Sequence, residues 1–178
     1  MVAEAMENKE VILEILPAGS SNGLAVDLGL MKTLDENVAI AFQGNYIKRD
    51  TIEIINKKCY HLSDLGLNAK LDKNYENSDL HSKWGYLLQA LKTLIDLGDS
   101  FVATITVNNG TIKSEAIMIV IANSKKYGTG VTINPNGIMN DGRFELVIIK
   151  NLDLIILGKI ISGYIPVSFR LMGNIMVL

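Results

Sequence analysis

The chain has 178 residues, 48% hydrophobic and 20% charged, with 17 Lys and Arg against 19 Asp and Glu for a net charge of −2. That length fits one domain, or one domain and part of another, with apolar content well above the disordered range. The charge balance argues against a nucleic-acid partner held by bulk positive charge. The single cysteine, Cys59, excludes an internal disulfide and makes a cytoplasmic protein the easier reading.

The first ten residues carry no basic-then-apolar signal pattern. Residues 11–16, VILEIL, form a short apolar run of the kind found in a buried strand, and Pro17 ends it. A loop of small residues follows, from Ala18 to Gly23. Leu24, Ala25 and Leu28 then suggest a short helix closed near Gly29. A second helix is better marked. Thr33 and Glu36 have capping-box spacing, Val38 and Phe42 lie four apart, and Gly44 stands where a helix stops.

After Gly44 strands dominate. Residues 51–56 and 59–62 read as strands, and residues 70–79 as a charged, solvated loop. Trp84, Leu87, Leu88, Leu91, Leu94 and Ile95 have the spacing of an amphipathic helix, with Gly98 beyond its end. Residues 101–107 and 111–122 read as strands joined by Asn108-Asn109-Gly110, a hairpin signal. Residues 144–149, 154–161 and 175–178 complete the strands. The longest uncharged stretch between Lys159 and Arg170 is ten residues, short of the ~20 a spanning helix needs. The pattern is α+β: a partial α/β unit over residues 1–44, then a mostly antiparallel β-sandwich with one helix over residues 45–178.

Two segments could carry chemistry. Residues 16–25 put small side chains between a strand and a helix, where backbone N–H groups can face an anion. They lack the Gly-Lys-Ser/Thr of a Walker loop, and Ser20, Ser21 or Asn22 serving only as a helix cap is the ordinary reading. Residues 123–145 bring three glycines and an Asp141-Gly142 turn. Asp141 could hold a hard cation together with nearby carbonyls. It could equally cap its own backbone in a β-turn. His61 and His81 have no metal-ligand spacing with each other or with Cys59, which reads as a small core residue.

Taken together, these segments resemble the diacylglycerol kinase catalytic family, which includes bacterial lipid kinases and sphingosine kinases. Residues 16–25, LPAGSSNGLA, resemble its LP-x-GT-x-ND-F-A segment. Leu65-Gly66-Leu67-Asn68-Ala69 is similar to its G-x-G-F-D-A segment, and Gly85-Tyr86 to the start of its Tyr-bearing helix. Ala122-Asn123-Ser124 with Gly128-Thr129-Gly130 resembles its Asn-to-triple-Gly run. Pro135 through Asn140-Asp141-Gly142-Arg143-Phe144 is similar to P-x-A-x-x-x-DG-x-L. The five landmarks stand in the family's order over residues 11–149.

The resemblance implies a nucleotide domain that carries ATP and a β-sandwich that forms the lipid site. It implies transfer of the γ-phosphoryl of ATP to a lipid hydroxyl. By the same resemblance Gly19, Ser20 and Asn22 lie at the nucleotide phosphates, with Ser20 keeping the hydroxyl of the family's threonine. Asp141 and the main chains of Ile138 and Arg143 hold Mg²⁺. The implied partners are ATP and a lipid substrate, met by peripheral contact at the inner face of a membrane, with a homodimer as a further expectation.

The departures are equally specific. The fifteen residues before Leu16 contain no glycine, so the family's GGDGT segment has no counterpart there. The 37 residues after Asp141 contain no Asp-Gly-Glu, the segment that carries the family's base. Gly23 and Asn68 each stand where the family has Asp. The expectation is a chain that lacks kinase activity by itself, with a lipid- or partner-binding sandwich as the alternative.

Overall fold

The computed structural model describes residues 2–19, 22–66, 100–107, 110–126, 132–150, 169–171 and 175–177. Among the described residues three helices, α1 (Val2–Ala5), α2 (Gly23–Asp27) and α3 (Leu34–Phe42), precede nine strands. These are β1 (Ile52–Ile54), β2 (Lys57–Cys59), β3 (Leu62–Gly66), β4 (Phe101–Val107), β5 (Gly110–Ala116), β6 (Met118–Ala122), β7 (Phe144–Ile149), β8 (Phe169–Leu171) and β9 (Ile175–Val177).

The strands form a four-stranded sheet, β3-β6-β7-β8, a three-stranded sheet, β5-β4-β9, and the β1-β2 hairpin. All pairings are antiparallel. Ala103 and Ile105 of β4 alternate toward Ile119 and Ile121 of β6 and Leu146 of β7, with Ile52 and Ala116 in the same buried cluster. This period-two pattern makes one core between two sheets, the β-sandwich the sequence predicts. Cys59 packs against that core as a partly buried residue, as expected. All five residues of β6 are buried, so this central strand is covered on both faces.

The best local signals hold. Thr33 caps α3 with both halves of the capping box, and Gly44 sits just past its end at φ +72°. Val107 pairs with Gly110, so Gly110 already belongs to β5. β7 has the predicted bounds.

Three expectations need correction. Residues 11–16 form no strand: a strand requires ladder partners, and none pairs with this segment among the described residues. Val11, Ile12, Leu13 and Leu16 are exposed instead. The predicted strand 59–62 divides between the end of β2 and the start of β3, because the chain bends at Tyr60 and His61. The run 111–122 is two strands. The chain leaves one sheet at Ala116 and enters the other at Met118, and Ile117 makes the corner with its N–H donating to the Ile149 carbonyl at 2.8 Å. Strand β8 and helix α1 had no clear signal. The loop expected at 70–79, the helix expected from Trp84 to Ile95 and the strand expected at 154–161 lie outside the described residues.

Helix α3 inverts the usual arrangement. Leu34, Val38 and Phe42, spaced four apart, face solvent, with Phe42 86% exposed, while Asn37 is the buried residue.

Gly66, at the end of β3, has φ +99°. A Cβ there would lie 2.3 Å from the Ile117 carbonyl oxygen and 2.8 Å from Phe101 Cε1. The sandwich corner therefore closes on a position that only glycine fits. Gly66→Ala should cost on the order of 2–5 kcal/mol in urea unfolding, from strain and overpacking together. A loss below about 1 kcal/mol would contradict this packing.

Bonds first from the Thr33 N–H and then from its hydroxyl hold the Glu36 carboxyl below its ordinary range. A carboxyl lowered by folding contributes stability above about pH 4.3, lost as pH falls through the folded value. Urea unfolding should separate wild type from Glu36→Gln at pH 7, and the gap should close toward pH 3.

Candidate functional site

The loop before α2 closes on itself. Asn22 adopts the left-handed region, φ 44° and ψ 32°, at the cap position of α2, without a side-chain capping bond. Its Oδ1 accepts from the Gly19 N–H at 3.0 Å, and its Nδ2 donates to the Gly19 carbonyl. A Cβ on Gly19 would stand 3.1 Å from that Oδ1, which is why glycine suits the position. The structure thus brings Gly19 and Asn22 together and corrects the reading of Asn22 as a side-chain cap. Ser20 lies outside the described residues.

Helix α2 ends at Asp27, and its carboxylate reaches the segment after β6. Oδ2 accepts from the N–H groups of Lys125 and Lys126, both at 2.9 Å. His61 Nε2 stands 3.7 Å from the same oxygen, and the Asp27 side chain is only 2% exposed. Burial lowers the pKa of the nearby Arg49 guanidinium, opposed by the negative charge of Asp27 and then of Cys59 and Asp50. Arginine stays charged through such a shift. Nothing in the sequence pattern singles out Asp27, because its partners are 98 and 99 residues away.

The segment after β6 is a polar seam. The side chains of Asn123, Ser124 and Asn134 are fully buried. The Asn123 N–H and the Ser124 Oγ both donate to the His61 carbonyl, at 3.4 and 3.3 Å. Asn123 Nδ2 donates to the Asp50 carbonyl at 2.8 Å. Asn134 Nδ2 reaches the Ser124 carbonyl at 3.3 Å and the buried Glu145 Oε2 at 2.7 Å. The donors of Asn123 and Ser124 are thus paired, as buried donors generally are, while Oδ1 of Asn123 and Oδ1 of Asn134 are buried without a hydrogen-bond partner.

The Asp141 turn sits at the end of this seam. Asp141 Oδ1 accepts from the Arg143 N–H at 3.0 Å, the self-capping bond that the sequence left open beside a cation. Gly142 takes φ +70° and donates its N–H to Asp50 Oδ2 at 2.6 Å. Asp50 also donates its own N–H to the Met139 carbonyl at 2.8 Å. Among the described residues no group of three or more His, Cys, Asp or Glu could hold a metal ion. A site here would use the Asp141 carboxylate with the carbonyls of Ile138 and Arg143. That all-oxygen set fits Mg²⁺, which takes one or two carboxylates and keeps several waters.

Comparison with known proteins follows the same outline. Residues 61–163 match the YegS C-terminal NAD kinase beta sandwich-like domain. The chain belongs to this family. A relative named "Probable lipid kinase YegS-like" from Shewanella frigidimarina is 21% identical over 85% of the chain and 49% of its own length. One named "Probable lipid kinase YegS" from Escherichia coli O1:K1 is 25% identical over 80% of the chain and 48% of its own length. The chain spans about half the length of these curated relatives. The crystal structure of a diacylglycerol kinase from Bacillus anthracis str. Sterne superposes with a TM-score of 0.66 at 17% identity, covering 93% of this chain and 53% of that one. At that identity the likeness establishes the fold. The YegS C-terminal domain thus takes in β3 through β7, the seam and the Asp141 turn.

Asp27 offers a direct check on the geometry. Asp27→Ala should lower stability by about 1.5–3 kcal/mol in chemical unfolding, the range for hydrogen bonds to a charged group. It should also speed hydrogen exchange at the Lys125 and Lys126 amides. Asp27→Asn keeps one carbonyl acceptor and should lose about half as much.

Proposed function

We infer that the chain is the lipid-acceptor part of an ATP-dependent lipid kinase of the diacylglycerol kinase type. The family match over residues 61–163 carries this reading, supported by the lipid-kinase names of the relatives. In it, residues 1–44 belong to a nucleotide-binding layer and residues 45–178 to the sandwich. Gly19, Ser20 and Asn22 bind the phosphates of ATP, which requires the Gly19 N–H to exchange its bond to Asn22 Oδ1 for one to phosphate. Asp141, with the main chains of Ile138 and Arg143, holds Mg²⁺. The ion, when bound, would have a structural role at this turn in a protein that transfers a phosphoryl group. The protein's share in such a transfer is chiefly positioning and electrostatics.

The chain by itself is expected not to turn over. It contains neither GGDGT nor Asp-Gly-Glu, and a missing acid–base group alone removes about 10²–10⁴-fold in rate. This observation favours the second reading, a lipid- or partner-binding module without catalysis. Lipid is met by peripheral contact at the inner face of a membrane, and no described helix is long and apolar enough to cross one. The exposed Leu34, Val38 and Phe42 stripe supports self-association as a homodimer.

Two measurements separate these readings. The protein should bind detergent micelles containing diacylglycerol more tightly than micelles without it, and leave labelled ATP untransferred. Mg²⁺ should raise the melting temperature of wild type and leave Asp141→Asn unchanged, because a specific ligand stabilises the folded state by mass action. Lipid binding without a Mg²⁺ response supports the module. No preference for diacylglycerol rejects the lipid role.

A further inference from the structure

Arg49, half-buried in the segment before β1, carries a charge that the chain does not meet. Its Nε and Nη2 are both buried and have no hydrogen-bond partner. These adjacent nitrogens form the side edge of the guanidinium. Their N–H bonds run nearly parallel, the geometry that grips two oxygens of one anion at once.

The neighbouring carboxylates are engaged elsewhere. Asp27 is the first negative charge that Arg49 feels, yet its Oδ2 accepts from the Lys125 and Lys126 N–H groups, both at 2.9 Å. Asp50 Oδ2 accepts from the Gly142 N–H at 2.6 Å. Among the described residues no ion pair joins either carboxylate to Arg49. His61 leaves a third nitrogen unmet beside the same Asp27. Its Nε2 is buried without a partner, 3.7 Å from Asp27 Oδ2 and beyond hydrogen-bond reach. A desolvated cation without a partner is strongly unfavourable, so the unmet edge points to an anion from outside the chain.

The number of open donors selects its chemistry. A carboxylate has two oxygens, and the Arg49 edge uses both. A phosphoryl group has a third, which His61 Nε2 can meet when it carries the ring proton. We propose that Arg49 and His61 form an anion subsite where α2 meets the sandwich, with a phosphoryl group as its ligand. The choice of a phosphoryl group rests on the phosphate-transfer reading above, and the unmet guanidinium does not. Asp27 lies five residues along α2 from Asn22, about 7–8 Å at 1.5 Å per residue. The subsite is therefore close to the loop assigned to the ATP phosphates. A phosphorylated lipid, a nucleotide and free phosphate all present the required group.

The test follows melting temperature against inorganic phosphate, ATP and short-chain phosphatidic acid, without divalent cation and with acetate at matched ionic strength as control. At least one of the three phosphates should raise the melting temperature of wild type, and acetate should not. Arg49→Met keeps the side chain's length and removes its charge. Without ligand it should melt at or above wild type, because an uncompensated buried cation is gone, and its response to that phosphate should vanish. Arg49→Lys offers a point charge in place of the paired edge, and His61→Phe removes the third donor. Each should weaken the midpoint by about tenfold, the cost of one hydrogen bond to a charged group.

The responses lost in Arg49→Met identify the source. Loss for phosphatidic acid alone marks a lipid headgroup, for ATP alone a nucleotide, and for all three a general phosphate site. A lower unliganded melting temperature in Arg49→Met overturns the proposal, because the guanidinium would then be paired within the protein. It is also overturned if no phosphate shifts wild type, if acetate acts as strongly, if Arg49→Met responds like wild type, or if Arg49→Lys or His61→Phe keeps the wild-type midpoint. Failure of the lipid-kinase reading shows separately, as no preference for diacylglycerol, and leaves an Arg49-dependent response to inorganic phosphate standing.

Discussion

Everything between α2 and the Asp141 turn depends on how the buried polar groups after β6 are satisfied. Asn123 and Ser124 follow a strand that is covered on both faces, so their polar atoms have little access to water. An unpaired buried donor costs about 1–3 kcal/mol, and the main-chain carbonyls of Asp50 and His61 meet that demand. One such contact brings the segment before β1 against the Asp141 turn. The next brings the β2–β3 bend against residues that Asp27 then ties to α2. The arrangement is a chain of hydrogen bonds that runs from α2 through the seam to the Asp141 turn.

The apolar framework and the polar seam solve different problems. Burying alternate residues of β4, β6 and β7 defines which faces of the two sheets meet. It leaves the rotation of the connecting loops undetermined, since apolar contact is not directional. The seam supplies direction. The corner at Ile117 shows both at once: Ala116 is fully buried, and the next residue donates its N–H to the Ile149 carbonyl.

What the sequence makes legible is what is local. The Thr33–Glu36 capping box, the β4–β5 turn and β7 depend on neighbours within a few residues, and each was readable from spacing. The division of 111–122 was hidden because both halves are apolar and β-forming, and only the second sheet's position decides where the chain turns. Residues 11–16 show the limit in reverse. Their composition is that of a strand, but composition cannot supply the partner that makes a ladder. Among the candidate site residues, Gly19, Asn22 and Asp141 were legible because each sits in a recognisable turn. Asp27 and Asp50 were not, because a carboxylate that accepts main-chain N–H groups 92 to 99 residues away leaves no periodic trace.

Asp27 recognises the main-chain amides of Lys125 and Lys126 and ignores their ammonium groups. Any amino acid other than proline presents that same pair of donors. The junction is therefore blind to side-chain identity at these two positions, and lineages can exchange lysine there for neutral or acidic residues and retune the local charge while the attachment of α2 is inherited intact.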